Sequence, residues 1–218
     1  MTSSALVVDD VVHRVEGSQV WMRAADERAE LVLDAVGQVV VDAAVTLICQ
    51  RLAVGESLAA AVQLAARTLR DIPGHTARRT LQNGALLLDD TAARTALDVR
   101  ASLRVLADLA RGRARSFAVL GELETVPAEW FDDHDALGRI VVRLDVSQLI
   151  VVGDGARHIH NAAGLEGSWD GESILVDTLE QAYDVVRAQV EEGDVMLVSA
   201  ASRTPLDRLV SRLLEDDQ

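Results

Sequence analysis

Five apolar runs of strand length, ALLLDD, SFAVLGEL, QLIVVGD, SILVD and VMLVSAA, follow one another through the last two thirds of the chain, with helical segments between most of them. No other feature limits the possible folds so strongly. A strand buried on both faces reaches a parallel neighbour only through a crossover, which is usually a helix, so the alternation predicts an α/β fold with a parallel sheet between helices. The helices are expected at roughly 97–110, 132–144, 154–162 and 178–190, with a last one from Pro205 to Leu214. Leu179, Ala182, Val186 and Val190 give one of them a single apolar face. In an open sheet of this kind ligands lie beyond the carboxyl ends of the strands. The acids that close the first run, Asp89 and Asp90, with Thr91 after them, are therefore candidate site residues.

The first 75 residues read differently. ALVVDDVVHRV, SQVWMRAA and RAELVLDAV are short β-branched runs broken by Gly17-Ser18 and Asp26-Glu27, which predicts a small antiparallel sheet. From Val39 to Leu52, Val40, Ala44, Leu47, Ile48 and Leu52 recur at helical spacing until Gly55 stops the run. Ser57 is placed to cap a second helix, Leu58 to Leu69, which Pro73-Gly74 closes. Two units are expected, residues 1–75 and 76–218, with the boundary near residues 73–80.

Composition narrows the partners. With 21 Lys and Arg against 35 Asp and Glu, the formal charge is -14, and like-charge repulsion disfavours nucleic acid and anionic membranes. Aromatics are only 3% of residues, too few for a base-stacking platform. The N-terminus lacks a basic segment followed by an apolar one, and no apolar run approaches the ~18 residues that span a bilayer. A lone Cys49 in an apolar helical pattern forms no intramolecular disulfide; it is expected as a small core residue, and the chain as cytoplasmic.

The order of landmarks resembles the Mur ligase family of ATP-dependent amide ligases, most closely the branch that adds D-alanyl-D-alanine to the peptidoglycan precursor. VGQVVVDAAVTLICQRLAVGESLAAAVQLA stands where that family has Gly-x-His-Asn-Val-x-Asn-Ala-Leu-Ala-Ala and a second helix. DIPGHTARRTLQNGALLLDDT resembles its Pro-Gly-Arg linker, Asn-Gly turn and Asp-Asp-Ser. SFAVLGELE, HDALGRIVVRLDVSQLIVVGDGARHI and EEGDVMLVSAASRTPLDRLVSRLLE follow its Rossmann-like C-terminal domain, which in the family holds the incoming amino acid or dipeptide. The resemblance implies that residues 1–75 are a remnant of the family's central domain and residues 76–218 its C-terminal domain. It also exposes departures. No Gly-x-x-x-x-Gly-Lys-Ser/Thr run occurs in these residues. The family's His-Asn pair becomes Val39-Val40, its next Asn becomes Ala43, and its linker arginine corresponds to His75, with Arg78 and Arg79 close by. Its Tyr-Asn-Ala-Asn-Pro becomes Ala92-Ala93-Arg94-Thr95-Ala96, and its Lys-Gly-Ser-Arg becomes Ser199-Ala200-Ala201-Ser202. Apolar positions persist while polar contacts are lost.

Asp90 resembles the carboxylate that meets the nucleotide ribose; the heavier expectation is a helix N-cap aided by the helix dipole. Ser199, Ser202 and Arg203 at the last strand end, together with Asp89, Thr91 and Glu122, are expected to line the ligand cleft. Glu122 and Asp154 stand beside Gly turns and would repel an anion. Asp132, Asp133, His134 and Asp135 are expected at a solvated helix start rather than on a metal. His158 and His160, two apart on a helix and so roughly 200° apart around it, are expected on the surface. No catalytic or metal-ligating residue is assigned. The expectation is a non-catalytic binding or scaffold module, without a cofactor, for a protein partner, a second copy, or an amino acid or short peptide. The alternative is one half of a split ATP-dependent amide ligase, with ATP and magnesium held by a separate subunit.

Overall fold

A computed structural model describes residues 5–166, 169–200 and 202–215. Ala201, and residues 1–4 of the N-terminal reading, lie outside the described residues. The chain divides into two compact units, Met1–Ile72 and Pro73–Gln218.

In the first unit, β1 (Leu6–Arg14), β2 (Gly17–Ala24) and β3 (Glu27–Leu33) form an antiparallel sheet in that order. Alternation places Val20, Met22, Leu31 and Leu33 on one face. There they form one core with Val40, Val41, Ala44 and Ile48 of α1 (Gln38–Ala53) and Leu58, Ala61 and Ala65 of α2 (Leu58–Thr68). Gly17 has φ 148°, and a Cβ there would run into the Leu33 carbonyl, so the turn into β2 requires glycine. Ser57 Oγ accepts the Ala60 amide, the expected cap of α2. Cys49 is exposed, not in the core. The reason is angular: α1 is apolar nearly all round, and position 49 falls outside the stripe of Val40, Val41, Ala44 and Ile48 that faces the sheet.

The second unit is an α/β layer structure. Its strands are β4 (Ala77–Thr80), β5 (Leu86–Asp89), β6 (Ser116–Leu120), β7 (Gln148–Val152), β8 (Glu172–Val176) and β9 (Val195–Ser199). They form one sheet in the order β4-β5-β9-β6-β7-β8. The five expected strands are mutually parallel, and β6, β7 and β9 are buried along their whole length. The sheet is nevertheless mixed, because β4 pairs antiparallel with β5. Its sequence, Ala-Arg-Arg-Thr, lacks the apolar run by which the others are recognised, and two arginines suit a short edge strand.

Helices α3 (Ala96–Ala110), α4 (Trp130–Arg143) and α5 (Arg157–Leu165) lie on one face. Helices α6 (Leu179–Gln189) and α7 (Leu206–Glu215) lie on the other, where Ala182, Val186, Leu209 and Leu213 share a core with Leu87, Val119, Ile150 and Val198. The chain steps from β5 past β9 to β6, β7 and β8 on the first face, then returns to β9 across the second. Crossovers of one hand that reverse direction must change face. The reversal leaves β9 between two strands whose helices leave on the opposite side, and the carboxyl ends there bound the crevice where ligands of open α/β sheets bind. Among the described residues no helix is long and apolar enough to cross a membrane.

Candidate functional site

Three strands end level at this crevice, with Asp89 opposite Val198 and Leu120 opposite Ser199. The ladder continues one residue further, since the Asp90 amide donates to Val198 O at 3.0 Å. Alternation puts Asp90 and Ser199 on the α3 side, two residues beyond Leu88 and Leu197. Ser199 Oγ lies 2.6 Å from Asp90 Oδ2, and the Thr76 amide donates to Asp90 Oδ1 at 3.2 Å. Ser102, buried on α3, bonds the same carboxyl.

Asp90 is only 3% exposed. Burial pushes its carboxyl up to about 7, despite the hydrogen bonds from Ser199, Ser102 and Thr76, and the like charge of Asp98 adds to the rise. It is not the cap of α3. That cap is Thr95, whose Oγ1 accepts the Asp98 amide at 3.2 Å while Asp98 Oδ2 accepts the Thr95 amide at 3.0 Å. Helix α3 begins six residues past Asp90, after a turn that starts at Thr91, so Asp90 is drawn inward beneath the helix instead of standing at its end.

The other predicted cleft residues surround the same strand ends and bond one another. Asp89 Oδ1 accepts both the Thr91 amide (3.2 Å) and the Thr91 hydroxyl (2.7 Å), turning its carboxylate back onto its own loop. Glu122 O accepts the Arg203 amide at 3.1 Å, and the Glu122 amide donates to Thr204 Oγ1 at 3.0 Å. The Arg203 guanidinium stands 3.6 Å from the Glu122 carboxylate. Ser202 Oγ donates to Ala93 O at 3.4 Å, tying the loop after β9 to the loop after β5. Glycine at 155 is what lets Glu122 approach, because a Cβ there would collide with its carboxylate. All seven predicted residues are thus brought to one end of the sheet; the side chains of Asp89, Asp90, Thr91, Ser199 and Ser202 are hydrogen-bonded within the chain, while Arg203, 56% exposed, only approaches Glu122.

His134 departs from the expectation of a solvated helix start. It is fully buried on α4, where its Nε2 accepts the Leu123 amide at 3.2 Å and its Nδ1 donates to Trp130 O at 2.6 Å. An acceptor at Nε2 requires the neutral ring, and burial lowers its pKa accordingly. It fixes the segment after β6 to the start of α4. His158 and His160 are half-buried: His158 lies edge-on to Trp130 and Phe131, and His160 Nδ1 is 2.7 Å from Ser173 Oγ. Among the described residues no group of three or more His, Cys, Asp or Glu could hold a metal ion. Sequence reasoning missed Thr76, Ser102 and Thr204, small polar residues whose partners lie elsewhere in the chain.

The opposite, amino end of the sheet is arranged otherwise. A groove of about 390 Å³ is bordered there by Arg115, Ser147, Gln148 and Glu191. Arg115 is already held by Asp194 at 2.6 Å and Glu191 at 3.2 Å, so its charge is matched within the chain.

Comparison with known proteins adds the relatives. Residues 74–202, more than half the chain, match the family model described as Mur ligase, glutamate ligase domain. The UDP-N-acetylmuramoyl-tripeptide--D-alanyl-D-alanine ligase of Mycobacterium leprae is 37% identical over 150 residues, covering 63% of this chain and 29% of that protein. The ligase of the same name from Mycobacterium tuberculosis is 32% identical over 216 residues, covering 90% of this chain and 42% of that protein. The chain therefore spans less than half the length of these curated relatives. Among solved structures, MurF from Acinetobacter baumannii superposes with a TM-score of 0.78 at 17% identity, over 96% of this chain and 45% of that one. MurF from Thermotoga maritima in complex with ADP gives 0.77 at 20% identity, over 98% and 47%.

Proposed function

The chain belongs to the Mur ligase family, and from that premise we propose that it is a non-catalytic member: a binding or scaffold module for a protein partner, a second copy of itself, or an amino-acid or short-peptide ligand. One observation carries this reading. At the crevice the side chains of Asp89, Asp90, Ser199 and Ser202 are hydrogen-bonded to their own neighbours, and the Glu122 carboxylate faces Arg203 across 3.6 Å. A site that grips a nucleotide needs donors held free for phosphate and ribose. The valines at 39 and 40 point the same way, because they can neither donate to nor accept from a base. Val7, Val8, Val32, Val39 and Val54 of the first unit are exposed apolar residues suited to cover by another chain.

The names of the relatives favour a second reading, one half of a split ATP-dependent acid–amino acid ligase whose nucleotide-binding half is another subunit. Amide formation by that route passes through an acyl phosphate, so ATP and magnesium would have to be positioned by the assembled pair. Calorimetric titrations separate the two. Under the first reading ATP–Mg gives no binding tighter than about 100 μM, roughly 5.5 kcal/mol, whether or not D-alanyl-D-alanine binds. Tighter ATP binding, or ligase turnover on adding a P-loop subunit, would favour the second. Light scattering at micromolar concentration tests the scaffold role: a dimer or a recovered complex supports it, and a monomer without partners counts against it.

A further inference from the structure

Two backbone outliers lie at or beside donors that hold Asp90. Thr76, whose amide donates to Asp90 Oδ1, has φ 53°, and Ala200, which follows Ser199, has φ 57°. A left-handed conformation is costly for an alanine and more so for a β-branched threonine, and such positions persist only where surrounding contacts over-determine them. Of the four non-glycine residues with positive φ among those described, one donates to this carboxyl and another follows the serine that does. The same carboxyl reaches Ser102 of α3. One side chain thus ties the segment Pro73–Thr76, the end of β5, the end of β9 and α3 together.

Among the described residues no ion pair to that carboxyl is found. Asp98 on α3 contributes a like charge, itself acted on by His75. Arg78 of β4, opposite Leu88, shares this side of the sheet, and β9 offers only the Ser199 hydroxyl. A neutral Asp90 still accepts the Thr76 amide at Oδ1 and the Ser199 hydroxyl at Oδ2, and it places no charge in the buried site. An ionised one leaves a charge 3% exposed with hydroxyl and amide donors alone, and hydrating it requires the crevice to open.

We propose that Asp90 is a proton-controlled latch on the crevice: protonated, it clamps the Thr76 and Ala200 turns across the ends of β5 and β9, and deprotonated, it releases them. Burial that moves its titration to near neutrality places the change within the range a cell experiences. The latch acts on the crevice whether or not a ligand enters it, so its test is independent of the nucleotide titrations.

The experiment is amide exchange on the full chain from pH 5.5 to 8.5, corrected for intrinsic rates and read at Thr76 and Ala200, with the Asp90 side-chain carbon followed by NMR. Protection at both amides is expected to fall by about tenfold or more across the Asp90 titration. Asp90→Asn, which keeps an acceptor for Thr76 and cannot ionise, is expected to keep protection level over the same range. Ser199→Ala, the second variant should the first not fold, is expected to weaken protection at Ala200 at low pH. Protection that stays level in the unsubstituted protein, a carboxyl that titrates below about pH 5, or an unchanged pH profile in Asp90→Asn overturns the proposal.

Discussion

The two ends of the six-stranded sheet each bury an aspartate, and they treat it oppositely. At the amino end Asp194, 5% exposed, receives Arg115 Nε at 3.1 Å and Nη2 at 2.6 Å, and the Glu191 amide at 2.8 Å. At the carboxyl end Asp90, 3% exposed, receives hydroxyls and an amide. A matched charge closes the amino end of the sheet for stability. An unmatched acid at a topological switch point is an arrangement usually found where ligands once were or still are handled. That contrast, more than any single residue, separates scaffold from site in this fold.

The pH dependence of stability breaks or upholds the contrast with the largest effect. Unfolded, the Asp90 carboxyl releases its proton near pH 4, and folded only near 7, so between these values the folded state binds more protons and stability falls as pH rises, levelling off above 7. Relative to the Asp90→Asn variant, the unsubstituted protein should lose about 4 kcal/mol between pH 4 and 8, read by denaturant melts of both proteins. A difference that stays flat with pH would place the carboxyl among ordinary acids.

Asp194→Ala should cost about 2 kcal/mol by the same melts, since it orphans the Glu191 amide while leaving Arg115 half-exposed and able to hydrate. Thr95→Ala should cost about 1 kcal/mol in thermal unfolding by removing the capping box that starts α3 beside the crevice. Arg203→Ala should change stability by less than about 0.5 kcal/mol, because its contact with Glu122 is long and Arg203 is 56% exposed. A larger loss would give the loop after β9 a role in closing the crevice that its geometry does not support.

The sheet was legible because five runs of β-branched and aliphatic residues are separated by helical spacing, and the Asp89-Asp90 pair at a run's end marked the crevice. Strand β4 was not, since Ala77–Thr80 enters the sheet by pairing with β5 and not by its own apolarity. Cys49 was misplaced because a helix apolar all round does not reveal which stripe faces the core. His134 was misread because its neighbours are acids, while its own bonds run to the backbone of Trp130 and Leu123. The cleft residues could be named from their positions at strand ends. That they bond each other depends on the return of β9 between β5 and β6, a long-range pairing that local pattern does not carry.

The polar groups at the carboxyl end of the sheet are bonded mainly within the chain, and the proposed function requires that none of them holds a nucleotide. Residue-resolved NMR of Asp90, Ser199 and Glu122 during titration with ATP–Mg tests it most directly. These signals are expected to stay in place up to millimolar nucleotide; saturating shifts at Asp90 with a midpoint below about 100 μM would place a nucleotide there instead.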